Sequence, residues 1–254
     1  PYTDQTMSTK TTYKLFEVTG IELEYMVVER GTLKVLPIVD KLFEDVTGKI
    51  TSDVDRGDVE WSNELVSHVV ELKTAKPTKR IPSFRKKFAS EVQAINAVLA
   101  KRNAMLLPTA AHPLMDPFTE TVIWPHDHNE VYALYNRIFD CRGHGWSNLQ
   151  STHLNLPFAT DEEFSKLHAA VRLVLPLIPA LSASSPILDG KVTGHLDSRM
   201  EAYLHHQERL PQLMGSLIPE AVFTQEDYYR EIFGPIGKAL APFDTENVMD
   251  HHFA

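Results

Sequence analysis

Gly20-Ile21-Glu22-Leu23-Glu24-Tyr25 places two carboxylates in a segment that otherwise reads as a buried strand. Side chains alternate faces along a strand, so Ile21, Leu23, Tyr25 and Val27 share one apolar face while Glu22 and Glu24 point together to the other. Carboxylates withdrawn from water stay ionised only when paired, hydrogen-bonded or bound to a metal. The stretch therefore admits two readings: a half-exposed strand with a solvated polar face, or a strand built to hold a cation. The rest of the chain has to decide between them.

At 254 residues, 43% hydrophobic and 23% charged, the chain is long enough for one large domain or two small ones. The net charge of -9 and the lack of a Lys/Arg stripe exclude a nucleic-acid backbone and an anionic membrane as expected partners. The densest basic run, Lys79-Arg80 with Arg85-Lys86-Lys87, reads as the solvated start of a helix. One cysteine, Cys141, cannot form an internal disulfide; it reads as a small buried hydrophobe and fits a reducing compartment. Val171 to Leu181 is short and broken by Pro176 and Pro179, and nothing before Met7 resembles a signal peptide, so a soluble cytoplasmic protein is expected. Residues 1–12 read as a disordered lead, with Pro1 to Thr6 preceding an initiator-like Met7, and 13–254 as a single domain.

Along the chain, Tyr13 to Glu29 reads as a long strand, followed by a turn at Glu29-Arg30-Gly31-Thr32 and a return at Leu33 to Leu36. Pro37 opens a helix with Ile38, Leu42, Phe43 and Val46 at helical spacing, stopped by Gly48. Strand signals run from Ile50 to Thr74, with a turn at Asp55-Arg56-Gly57-Asp58 and branched residues over Val66 to Leu72. Pro82 begins a helix whose stripe is Phe84, Phe88, Val92, Ile95 and Leu99. A strand over Ala104 to Ala110, a long irregular loop from His112 to His128 and a helix over Val131 to Phe139 follow. Gln150 to Phe158 alternates, with Ser151, His153 and Asn155 on a polar face. Asp161 caps a helix predicted to run to Ile178, Ser182 to Gly194 is rich in turn residues, and Met200 to Arg209 is predicted helical. Strands separated irregularly by helices indicate an α+β domain.

Glu22 and Glu24, Glu64 through Glu71-Leu72-Lys73-Thr74, Gln150 through His153-Leu154-Asn155, and Ser182 to Pro186 through Ser198-Arg199 form an ordered series. That series resembles the carboxylate-amine ligase family related to glutamate-cysteine ligase, whose fold is shared with glutamine synthetase. The resemblance implies a curved, mainly antiparallel sheet whose concave polar face holds divalent ions, with helices on the convex face, and a domain lacking its C-terminal part. It implies that Glu22, Glu24, Glu64, Glu71 and His153 line the metal face. The implied chemistry uses ATP and Mg2+ or Mn2+: a carboxylate is activated as an acyl phosphate and an amine displaces the phosphate. The implied partners are small molecules, an amino-acid carboxylate such as that of glutamate and an amine such as cysteine; a homo-oligomer is compatible with it.

Read for their chemistry, these residues keep alternatives. ATP brings charge that metal ions and cationic side chains must neutralise, and Mg2+ is held by a few carboxylates, phosphates and waters. Glu64 and Glu71 stand seven apart, a spacing that suits one regular strand face only with a bulge or a strand start at Leu65. Glu64 could equally be an exposed glutamate, and His153 a hydrogen-bonded core histidine. Arg199 can hold a carboxylate or a phosphoryl group in a bidentate fork, or form a surface ion pair with Glu201 or Glu208. Lys73 is a candidate phosphate contact or a solvated strand end. His126-Asp127-His128 lacks the companions of a zinc site, and His205-His206 and His251-His252 read as surface pairs. No glycine-rich phosphate loop is present, so nucleotide would be held through metals. Two competing functions share these residues: a two-metal phosphoesterase, and a non-catalytic domain that binds nucleotide and metal.

Overall fold

The structure is a computed structural model that describes residues 12–127 and 129–248. The calls on Pro1 to Met7, His128, His251 and His252 lie outside the described residues. Among the described residues, the architecture is an open, six-stranded antiparallel sheet with helices, in agreement with the expected α+β class. The strands are β1 (Gly20–Glu29), β2 (Asp53–Asp55), β3 (Val59–Asn63), β4 (Val69–Thr74), β5 (Ala104–Leu107) and β6 (Thr152–Asn155), and a separate hairpin joins β7 (Ile187–Leu188) to β8 (Lys191–Val192). The helices are α1 (Val39–Thr47), α2 (Ile81–Leu99), α3 (Pro117–Glu120), α4 (Asn129–Phe139), α5 (Asp161–Val174), α6 (Ile178–Ser182), α7 (Ser198–His205), α8 (Pro211–Met214), α9 (Gln225–Tyr228) and α10 (Gly234–Leu240).

β1 is the strand around which the sheet is built. β4 pairs along one of its edges, while β5 takes Met26 to Glu29 and β6 takes Gly20 to Leu23 on the other. The alternation of β1 separates two environments. Ile21 and Val27 are buried and Leu23 and Tyr25 pack beside them, against the stripe of α2 (Phe84, Phe88, Ile95, Leu99) and against Leu42 and Phe43 of α1. The opposite face carries Glu22 and Glu24, then turns apolar at Met26 and Val28, which pack with Val35 and Met115. Removal of so much apolar surface from water on one side is what lets the other side carry charge.

Local signals account for several boundaries. Gly48 ends α1 at φ 78°, donating its N–H to the Glu44 carbonyl, a left-handed position that glycine adopts without a Cβ clash. Gly57, at φ 86°, turns β2 into β3 within the expected Asp55 to Asp58 turn. Asp189 and Gly190, at φ 52° and 70°, make the two-residue connection between β7 and β8. The basic run at 79–87 lies at the start of α2 and is largely exposed.

Other boundaries differ from expectation. The first strand starts at Gly20 rather than Tyr13, because Leu15 to Glu17 form a turn in which Phe16 has φ 61°. The return at Leu33 to Leu36 is a single bridge, Val28 to Val35. β4 begins at Val69, since 64–68 form the connection from β3 and the His68 carbonyl accepts from the Val27 N–H. The alternating run at 150–158 pairs only over β6, where β1 offers it an edge. The helix expected over 161–178 is two helices, and its cap is Thr160, whose hydroxyl accepts from the Glu163 N–H at 3.2 Å. Among the described residues no helix is long and apolar enough to cross a membrane. Cys141 is fully buried, and burial followed by the Asp140 charge pushes its thiol up to about 12, consistent with an inert packing residue.

Leu42 sits wholly inside the contact between α1 and the sheet. Leu42→Ala is expected to lower unfolding stability by about 2–5 kcal/mol, whereas Val192→Ala on the exposed β8 should change it by no more than about 0.5 kcal/mol. Urea denaturation of both variants measures the difference.

Candidate functional site

The acidic face of β1 is completed by its neighbours in register. Glu22 stands opposite Lys73 on β4 and His153 on β6, and Glu24 stands opposite Glu71. On the far side of β4, Glu60 and Ser62 pair with Lys73 and Glu71. The pleat therefore gathers side chains of four strands, β1, β3, β4 and β6, onto one surface, and a single-residue slip would remove the set from that face. Glu64 reaches the same surface from the β3–β4 connection, which removes the spacing difficulty between Glu64 and Glu71: the two are not on one strand.

The carboxylates are held individually. Glu22 accepts from Asn155 Nδ2 at 2.6 Å, and its other oxygen lies 2.8 Å from His153 Nδ1. Glu24 accepts from the Ser151 N–H at 2.8 Å, with His153 Nδ1 3.8 Å from its second oxygen. Glu71 accepts from the Ser62 hydroxyl at 2.8 Å and lies 3.6 Å from Lys73 Nζ, which also meets Glu60 at 3.2 Å. The Glu24 side chain is only 9% exposed, which removes the reading of a solvated strand face. His153, with a side chain 46% exposed, is not a core histidine. Its ring nitrogen that does not face Glu22 is available to a ligand.

Burial, and mutual repulsion after it, show in the proton affinities. Burial, then the Glu24 and Glu71 charges, push the Glu64 carboxyl up to about 8, against a weak contact from the Leu65 N–H. Burial also raises Glu24, opposed by the Ser151 N–H and by His153. Burial works to lower the Lys73 ammonium, but Glu71 and Glu60 together raise it, so Lys73 remains a cation. Two groups can be drawn whose ligand atoms all lie within 4.8 Å of one another: Glu22, Glu71 and His153, and Glu24, Glu64 and Glu71. Glu71 is common to both. Carboxylate oxygens with one imidazole suit Mg2+ or Mn2+, and a divalent ion would supply the positive charge that Glu24, Glu64 and Glu71 need to remain ionised side by side.

Arg199 comes to this face by a separate device. Ser185, buried in a bridge to Asp197, accepts from the Arg199 N–H at 3.0 Å, while Asp197 caps α7 by accepting from the Met200 N–H. The guanidinium then donates to the Gln150 carbonyl at 2.9 Å and to the Ser151 hydroxyl. Glu201 and Glu208 are engaged with His205 instead, so the surface ion-pair reading of Arg199 does not hold. His126 pairs with Asp40 at 3.2 Å, apart from this site.

A cavity of about 360 Å3 lies along β1 and the segment leading into β6, bordered by Glu24, Gln150, Ser151 and Arg199, and two more flank the acidic face. One, of about 390 Å3, is bordered by Glu24, Glu64, His153 and Arg199 and by aromatic residues of α4 and α7. The other, of about 310 Å3, is bordered by Gly20, Glu22, Lys73, Pro77 and Asn155. Sequence reasoning had not singled out the aromatic residues Tyr132, Tyr135, Trp146 and Tyr203, nor Ser62 beneath Glu71. It had also read His206 as a surface residue, whereas its ring stacks on Tyr203 at 4.1 Å and lies 4.7 Å from Trp146. The signal that could have found Trp146 is its setting in Gly143-His144-Gly145-Trp146-Ser147-Asn148, where small and polar residues bracket a large ring.

Comparison with known proteins bears on this geometry. The model of glutamate-cysteine ligase family 2 (GCS2) matches residues 18–235, a span that contains every residue of the acidic face. The chain belongs to this family. A relative described as an uncharacterized protein, from Archaeoglobus fulgidus (strain ATCC 49558 / DSM 4304 / JCM 9628 / NBRC 100126 / VC-16), is 32% identical over 205 residues. The match covers 81% of this chain and 55% of the relative, so the chain spans about half the length of the curated relative it matches. In this member of glutamate-cysteine ligase family 2 the matched region includes α7, which carries Arg199 and Tyr203 to the larger cavity.

Two measurements test the acidic face. Without metal, Glu64 holds its proton more tightly folded than unfolded, so stability should fall as pH rises from 4.5 towards about 8. Glu64→Gln should flatten that fall in urea titrations with chelator, and an unchanged pH slope would remove Glu64 from the cluster. For His153→Ala, melting without metal should change only by the loss of the Glu22 contact, while the gain on adding Mn2+ should shrink because metal affinity drops about ten- to a hundredfold. Equal destabilisation with and without Mn2+ would assign His153 a structural role instead.

Proposed function

We propose that the acidic face is the catalytic face of an ATP-dependent carboxylate-amine ligase with a glutamine synthetase-like fold, acting in the cytoplasm. The observation that carries this reading is the pair of ligand groups sharing Glu71, with a cavity on each side. A ligase must bring a nucleotide, a carboxylate and an amine to one point, and the two cavities open on neighbouring carboxylates of one sheet face, Glu24 and Glu64 for the larger and Glu22 for the smaller. Membership of glutamate-cysteine ligase family 2 supports glutamate as the acyl donor and cysteine as the reference amine.

In this reading Glu22, Glu71 and His153 hold one Mg2+ or Mn2+, and Glu24, Glu64 and Glu71 hold another. When bound, such ions supply charge neutralisation for the phosphates and for the transferring phosphoryl group. Lys73, kept cationic between Glu60 and Glu71, contributes a point charge for phosphate on the side of the smaller cavity. Arg199 presents its planar fork to the substrate carboxylate or to the phosphoryl oxygens, its direction set by Gln150 and Ser151. The donor carboxylate oxygen attacks the terminal phosphorus and ADP leaves. The amine nitrogen then attacks the acyl carbon, phosphate leaves and the amide nitrogen loses its proton. Glu24 and Glu64 stand where an ammonium would be attracted before that step.

Incubating the chain with ATP, Mg2+, glutamate and an amine should release ADP and phosphate only when both substrates are present. Phosphate release that ignores the amine, or manganese-dependent hydrolysis of simple phosphoesters without ATP, would replace the ligase reading with a phosphoesterase. Binding of nucleotide and metal without any amide product at long times would make it a non-catalytic member. Arg199→Lys keeps the charge but not the fork, so turnover should fall roughly a hundredfold; activity within a few fold of wild type would leave Arg199 as a brace for β6.

A further inference from the structure

The larger cavity has one acidic end and one aromatic wall. Glu24 and Glu64 lie at the acidic end. The wall, Tyr135, Trp146 and Tyr203, belongs to a ring cluster assembled from distant parts of the chain: Tyr135 and, behind the lining, Phe139 of α4 lie 6.1 and 5.2 Å from Trp146, which also meets His206, and His206 in turn stacks on Tyr203 of α7. The stack is fixed before any ligand arrives. Trp146 Nε1 donates to the His206 carbonyl at 2.9 Å. The Gly145 backbone comes so close to α7 that a Cβ there would lie 2.4 Å from His206 Cβ and 2.8 Å from the Ala202 carbonyl oxygen. On the other side of the loop, the Ser147 carbonyl meets His68 Nε2 at 2.8 Å, and Asn148 exchanges hydrogen bonds with both backbone groups of His112. Tyr132 accepts from Asn63 Nδ2, which places its ring beside Glu64.

We propose that this cavity is the amine subsite and that it selects an amine bearing a flat ring one or two carbons from the nitrogen, an arylalkylamine, in preference to cysteine. The inference rests on the ligase reading for its chemistry. With one divalent ion held by Glu24, Glu64 and Glu71, three carboxylates still outnumber its two charges, so an ammonium is drawn to that end while the attached ring meets Tyr132, Tyr135, Trp146 and Tyr203 along the cavity. Cysteine would bring a carboxylate of its own toward Glu24 and Glu64, and the guanidinium that borders the cavity, that of Arg199, is committed in the ligase reading to the donor carboxylate or the phosphoryl group. The nucleotide is placed elsewhere by the same logic: Lys73 borders the smaller cavity and not the larger one. A volume of about 390 Å3 falls within the range of small-molecule pockets, roughly 300–1,000 Å3.

Trp146 makes the binding directly observable, since Trp61 and Trp124 are 1% and 0% exposed. The experiment titrates the manganese-loaded full chain with phenethylamine and with cysteine, following tryptophan emission, with Trp146→Phe as the baseline. Phenethylamine should quench saturably at about one-tenth the concentration needed for cysteine or lower. Tyr135→Ser on α4 and Tyr203→Ser on α7 should each raise the phenethylamine half-saturation several-fold while leaving the melting shift on Mn2+ unchanged. Cysteine saturating at the same or a lower concentration, or phenethylamine quenching that neither variant alters, would overturn the proposal. Phosphate release separates the two levels of inference: release with cysteine but not phenethylamine sinks the aryl-amine subsite and keeps the ligase. Phenethylamine binding without release by either amine keeps the subsite and sinks the ligase.

Discussion

Repulsion among Glu22, Glu24, Glu64 and Glu71 is the constraint from which most of this structure follows. Carboxylates gathered onto one sheet face and largely removed from water are unfavourable unless something opposes their charge. The chain opposes it in three ways. Each carboxylate receives at least one hydrogen bond, from Asn155, Ser151, Leu65 or Ser62. Lys73 and His153 bring cationic or dipolar partners from the two strands beside β1. The buried apolar face beneath, with α1 and α2 packed across it, supplies the stability that lets the polar face keep a residual imbalance. That imbalance, which adds to burial in the upward shift of Glu64, leaves the face able to hold a cation rather than fully neutralised by its own partners.

The distribution of hydrogen bonds gives the two ligand groups different characters. Glu22 is tied to Asn155 and His153, both on the exposed β6, so its group sits at the open edge of the sheet. Glu24 and Glu71 are tied to Ser151 and Ser62, with side chains only 9% and 10% exposed. An ion in the second group would be more enclosed and its electrostatic influence less screened. Glu71 belongs to both groups, so the protonation of one is coupled to occupancy of the other, and neither can be treated as an independent site.

Much of the acidic face was legible because strand periodicity is short-range. Glu22 and Glu24 two apart, and His153 and Asn155 two apart, declare a shared face once each segment is taken as a strand. Glu64 was legible only through family resemblance, since its place in the β3–β4 connection obeys no period. The ends of β1 and β6 were overestimated because alternation continues past the point where a partner strand is available: beyond the ladders Thr19 forms one isolated bridge, with Thr78, and the Ser151 carbonyl accepts from the Glu24 N–H. The aromatic wall was illegible for a physical reason. Tyr135, Trp146 and Tyr203 come from α4, a loop and α7, and nothing in their spacing says that Gly145 allows the loop to approach α7 closely enough to bring the rings together.

The same comparison explains why Arg199 matters more than its neighbours on α7. A helix of eight residues has little stability of its own, and its position must be set by the chain before it. Ser185 bridges to Asp197 and accepts from the Arg199 N–H, while Asp197 caps the first turn. The turn-rich stretch from Ser182 to Asp197 is thus a positioning element, and the hairpin β7–β8 is its fold-back. The guanidinium it delivers bonds to Gln150 and Ser151, whose N–H in turn supports Glu24. Movement of α7 would therefore be felt at Glu24 through one serine, and at the aromatic wall through Tyr203 and His206. The acidic face and the aromatic wall are thus linked through a helix that contributes no side chain to either ligand group.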